Sequence, residues 1–132
     1  MFEAIAVPLG AKMLFNTVKL KPGATMEQAE LAIGEMCNVV KNTYGGEAGG
    51  FLGGQVFKFS GFVSGEGSLG GAGPADDHVA IVTYWRSFEE HERSHADEAF
   101  KKRFVALEAI SAESRELGYE MMWQGEPEAA AH

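Results

Sequence analysis

Cysteine is almost missing from this sequence: Cys37 is the only one. One thiol cannot build an internal disulfide framework, and it fits a reducing compartment. Basic charge is also scarce. Eleven Lys and Arg stand against 19 Asp and Glu, giving a formal net charge of −8 at pH 7. Such a surface repels phosphate, which argues against nucleic acid and against anionic membranes as partners. No apolar stretch approaches the roughly 18–20 residues that a membrane-spanning helix needs. Residues Met1 to Pro8 carry none of the Lys or Arg that open a secretory signal, so a cytoplasmic location is expected.

What is present is an ordinary globular composition. The 132 residues are 45% hydrophobic and 23% charged, and a single domain over 1–132 is expected. Glycine is the outlier, with 12 of its 17 residues lying between Gly45 and Gly73. The run 61–77 is too glycine-rich for regular structure and longer than common connections, so a functional, interfacial or mobile loop is expected there. Its Gly65-Glu66-Gly67-Ser68-Leu69-Gly70 matches a nucleotide-binding pattern by letters. It opens no helix inside a βαβ unit, so the phosphate-binding mechanism is absent.

Hydrophobic periodicity orders the rest. Residues 13–20 alternate as a strand, and Lys21-Pro22-Gly23 is a turn. Thr25 and Gln28 form a capping box, opening a helix whose apolar stripe includes Met26, Ile33, Met36, Cys37 and Val40. Gly45-Gly46 ends it. Residues 51–59 and 78–85 are strands, the latter rich in β-branched and aromatic residues. A second capping box, Ser87 with Glu90, opens a helix expected to run, with a bend, to Leu117, where Gly118 stops it. Residues 119–123 are then the last strand, 124–132 a short tail, and residues 2–7 an added arm or strand. The order β-α-β-β-α-β is the ferredoxin-like α+β pattern. Two helices on one sheet face leave the other face bare. A homodimer, or a larger homo-oligomer, that stacks two such sheets into an α/β barrel would bury it.

His91 and His95 lie one helical turn apart beside the apolar position Phe88, so both imidazoles point inward on one side. Such a pair is two-thirds of a 2-His-1-carboxylate centre, the arrangement that leaves positions open on non-haem iron. The carboxylate must come from elsewhere. Glu126, just past the last strand, is the favoured source, and Glu66, Asp76 and Asp77 in the long loop are the others. The pair alone also fits simple packing. Cys37 is either a core residue or a thiol facing the same cavity.

Two resemblances sharpen this. Tyr84-Trp85-Arg86-Ser87-Phe88-Glu89-Glu90-His91 resembles the strand-to-helix join of antibiotic-biosynthesis-type monooxygenases. A second set of segments resembles the sulfur oxygenase reductases over roughly residues 35–128. These are Phe51-Leu52-Gly53 with Val56, Lys58, Gly61 and Ser64-Gly65-Glu66-Gly67-Ser68; Trp85 followed by His91-Glu92-Arg93-Ser94-His95; and Met122-Trp123-Gln124-Gly125-Glu126-Pro127. That resemblance implies a mononuclear non-haem iron on His91, His95 and Glu126. It implies Cys37 as a catalytic residue carrying a persulfide, and oxidation of elemental sulfur with dioxygen in large hollow assemblies. The chain departs from the family in being half its length, since family members carry two ferredoxin-like halves. Its His95-to-Glu126 segment is also longer than the family's by about two helical turns. Two other small-molecule functions suit the same barrel: a cofactor-free monooxygenase, or a haem-binding protein with His91 or His95 as base or axial ligand. A non-catalytic assembling or ligand-binding protein is a third.

Overall fold

A computed structural model describes residues 4–73 and 76–128 of the chain. β1 (Lys12–Leu20) leads through a tight turn into α1 (Met26–Tyr44), and β2 (Phe51–Lys58) follows. β3 (His78–Trp85), α2 (Phe88–Ser94), α3 (Glu98–Ile110) and β4 (Ser111–Glu120) complete it. The four strands form one antiparallel sheet in the order β2-β3-β1-β4. This is the ferredoxin-like α+β architecture expected from the sequence. Among the described residues no helix is long and apolar enough to cross a membrane.

Local signals explain the first half. The Thr25 hydroxyl accepts from the Gln28 N–H at 3.1 Å, and the Gln28 side chain accepts from the Thr25 N–H at 2.8 Å. Both orphan donors of the helix start are thereby satisfied. The buried stripe of α1 is Ala29, Ala32, Ile33, Met36 and Val40. Its first four residues pack with Val18, Val79, Ile81 and Leu107. A second cluster, Leu14, Val40 and Trp85, continues the core toward α2.

The second half differs from the sequence expectation. The helix opened by Ser87 bends at residues 95–97, where successive N–H groups of His95, Ala96 and Asp97 bond three residues back, a tightened terminal turn. Asp97 restarts it by accepting from the Phe100 N–H at 3.0 Å. The helix then ends at Ile110, not Leu117. Residues 111–120, rich in helix-favouring Glu, Arg and Leu, pair along β1 instead. Sheet pairing overrides their local preference. Gly118 stops no helix. A Cβ there would lie 2.9 Å from the Phe88 ring, so its role is to let β4 approach the start of α2. The expected last strand at 119–123 is therefore the end of β4 plus irregular chain.

The expected arm at 2–7 forms no strand over residues 4–7, and residues 2 and 3 lie outside the described residues. Ile5 packs against Gly53 of β2. The loop at 61–77 forms no helix or strand over its described part. Of the tail at 124–132, residues 129–132 lie outside the described part.

Strand alternation divides the sheet. Leu14, Asn16 and Val18 face the helices, while Met13 and Phe15 face away beside Val82, Tyr84, Leu117 and Tyr119 of the neighbouring strands. Leu117 and Tyr119 are nearly half exposed there. In register, Asn16 lies between Ile81 and Glu116, which puts Glu116 on the helix-covered side.

Candidate metal centre

Three elements converge at one end of the helix-covered face. α2 supplies His91, the residue that caps α2 supplies His95, and β4 supplies Glu116. One ligand atom from each lies within 4.8 Å of the other two. Nε2 of His91 is 3.4 Å from Glu116 Oε2, and Nε2 of His95 is 3.9 Å from Glu116 Oε1. Nδ1 of His91 lies 3.4 Å from Glu92, and Nδ1 of His95 lies 3.9 Å from the same carboxylate. Glu92 and Glu116 thus lie against opposite ring nitrogens of both histidines.

The two histidines are held differently. His91 is 5% exposed and meets the Trp85 ring edge-to-face at 5.3 Å. Trp85 is itself buried, with its indole N–H donated to Thr83 at 2.9 Å. His95 has about a third of its side chain exposed, 34%. It stacks on Phe100 at 5.2 Å with planes 10° apart. The imidazole centroids are 4.3 Å apart. Burial pushes the Glu116 carboxyl up, but His91, His95 and the Asn16 amide more than offset it and hold it below the ordinary carboxylate range.

The sequence prediction of His91 and His95 on one inward side matches their placement. The prediction of Glu126 does not. Glu126 is exposed in the irregular chain after β4 and is not in the cluster, and the acid beside both Nε2 atoms is Glu116. The error follows from the misread helix end, since a helix through residue 117 gives Glu116 no reason to face the sheet interior. The signal available was alternation. Glu116 shares its face with Gly118, and Leu117 and Tyr119 take the other. Nor do the loop acids join: Asp76 pairs with Lys19 at 2.9 Å, and Glu66 accepts from the Ser64 hydroxyl at 3.0 Å.

A large cleft between helices and sheet is lined by Cys37, Asn16, Trp85, Phe100 and the three candidate ligands. Cys37 packs against the main core cluster, and burial pushes its thiol up to about 11. It is a protonated thiol at neutral pH. Ligands about 2.0–2.2 Å from one ion stand about 3–4 Å from each other. The observed N···O separations match that spacing, so the cluster fits a single divalent cation.

No protein-family model and no curated protein matches the sequence. Solved structures of the same fold do. SnoaB, a cofactor-independent oxygenase from Streptomyces nogalater, is 16% identical with a TM-score of 0.60, covering 90% of this chain and 99% of that one. A dimeric ferredoxin-like protein from Thermobifida fusca is 11% identical with a TM-score of 0.59, covering 92% and 100%. The hydroxynitrile lyase of Passiflora edulis is 8% identical with a TM-score of 0.61, covering 90% and 100%. At these identities the likeness is one of fold, and an oxygenase and a lyase share it.

Proposed function

We propose that the chain is an oxygen-using oxidoreductase whose mononuclear non-haem iron is held by His91, His95 and Glu116. A small sulfur species would be bound beside Cys37, in a homodimer. The observation that carries this reading is the convergence of two Nε2 atoms and one carboxylate within 4.8 Å. Two neutral imidazoles and one carboxylate suit iron and leave coordination positions open. The bound ion would supply Lewis acidity and a place for dioxygen. Glu116 would supply the one anionic ligand. Glu92, facing both Nδ1 atoms, would fix the tautomer and aim of the rings. Replacing Glu126 by Glu116 shortens the segment after His95 by ten residues (126 − 116). That overshoots an excess of about two helical turns, roughly seven residues, and leaves the Met122-to-Pro127 segment of the sulfur oxygenase reductase resemblance without its ligand.

Cys37 lines the same cleft. It would lose its proton to solvent and attack a sulfur–sulfur bond as the thiolate, with His91, His95 and Glu116 kept on the ion. A Cys–S–S bond forms, the substrate S–S bond breaks, and the displaced sulfur takes a proton from solvent. The homodimer is supported by the exposed apolar sheet face and by the dimeric state of the Thermobifida fusca protein.

A second reading is favoured by the likeness to SnoaB: a cofactor-independent oxygenase in which the Glu116–His91 pair removes a proton from an organic substrate in the cleft. One experiment separates them. Iron removal by chelation should abolish sulfur-dependent oxygen uptake, and ferrous iron should restore it. Activity untouched by complete iron removal would transfer the assignment to the second reading. A Soret shift on haem titration, lost on replacing either histidine, would point to haem instead.

A further inference from the structure

His91 and His95 are not supported alike. His91 sits inside α2, braced by the buried Trp85. His95 sits where α2 has ended, on a three-residue link before α3 begins. A joint between two short helices is free to pivot unless something outside it holds it. Two connected contacts do so. Asp97 uses one carboxylate oxygen to cap α3, accepting from the Phe100 N–H at 3.0 Å. Its other oxygen accepts from the Tyr44 hydroxyl at 2.7 Å. Tyr44 is the last residue of α1, far away in sequence, and it is wedged in place by the following turn: a Cβ on Gly49 would lie 2.7 Å from the Tyr44 ring and backbone. Phe100, oriented by that cap, carries the ring on which His95 stacks.

We propose that Tyr44 and Asp97 are positioning residues for His95, tying the α2–α3 joint to the end of α1 so that the imidazole faces Glu116. The clasp touches none of the three candidate ligands itself. It acts through Phe100 and through the backbone of the joint. Loss of the Tyr44 hydroxyl leaves the hydrophobic body of the side chain in place, frees Asp97 Oδ2, and lets the joint and the Phe100 ring drift. For cation affinity the inference rests on the proposed metal centre. For the orientation of His95 it does not.

The test uses the full chain with Tyr44→Phe, and Asp97→Ser as a second variant. Serine keeps a cap for Phe100 but is too short to reach Tyr44. Cobalt(II) affinity is read by visible absorption, and the His91 and His95 ring-proton shifts by NMR without metal. The stacked Phe100 face displaces the His95 signals upfield. In both variants that displacement should collapse, His91 should shift less because Trp85 still holds it, and cobalt affinity should fall about 10-fold or more. Wild-type His95 shifts in the variants overturn the proposal, even where thermal stability drops, because the clasp then only braces the fold. A wild-type chain that binds no cobalt removes the metal reading, and the ring shifts still decide the clasp. Should Tyr44→Phe not fold, Asp97→Ser is read by the same two criteria.

Discussion

The two faces of the sheet are made from alternate residues of the same strands, yet they do different work. Leu117 and Gly118 are neighbours on β4. Leu117 points to the open side and is 47% exposed, while Gly118 faces the helices so closely that an added Cβ would press on Phe88. The covered face holds the core, the buried Trp85 and the polar cluster His91, His95 and Glu116. The open face offers apolar side chains with nothing described over them. The difference teaches which positions are fixed by packing within the chain and which are not. Covered positions are sensitive to a single carbon, and open positions should be sensitive only through a partner.

The largest effect expected on that contrast is at Trp85. Trp85→Ala removes a side chain that is 1% exposed and braces His91. It should cost about 3–5 kcal/mol in urea unfolding, and a loss under 1 kcal/mol would show that the second core cluster is poorly packed. Next come the adjacent pair. Gly118→Ala should destabilise by about 1–3 kcal/mol through the Phe88 clash. Leu117→Ala should change monomer stability by no more than about 0.5 kcal/mol while weakening self-association in sedimentation. Equal stability losses at the two positions would erase the distinction between faces.

A smaller effect belongs to the junction entering α2. Hydrogen bonding from Arg86 holds the Glu90 carboxyl down at about 2, against the opposing push of burial. A carboxyl lowered by folding contributes stability that is present above its unfolded value, about 4.3. That contribution is lost as pH falls toward 2. Glu90→Gln should therefore flatten the loss of stability over that acid window and leave the slope above about pH 6 unchanged.

Much of the fold was legible because its signals are local. Thr25 with Gln28, the alternation of 78–85 and the glycines after Tyr44 each act within a few residues. The C-terminal third was not, because Ser111 to Glu120 carries a helical composition and becomes a strand only by pairing with β1. The site divided along the same line. Helical spacing alone places His91 and His95 together. Glu116 and the Tyr44–Asp97 clasp depend on contacts between residues 21 and 53 positions apart, which periodicity does not encode.

The central claim is that His91, His95 and Glu116 hold one cation. Its most direct test is ferrous iron bound per chain, measured anaerobically for the wild type, Glu116→Gln and Glu126→Gln, with X-ray absorption to count the nitrogen and oxygen ligands. The account predicts about one iron per chain with two imidazole ligands, loss of loading in Glu116→Gln and full loading in Glu126→Gln. Full loading in Glu116→Gln, or a wild-type chain that takes up no iron, would contradict it.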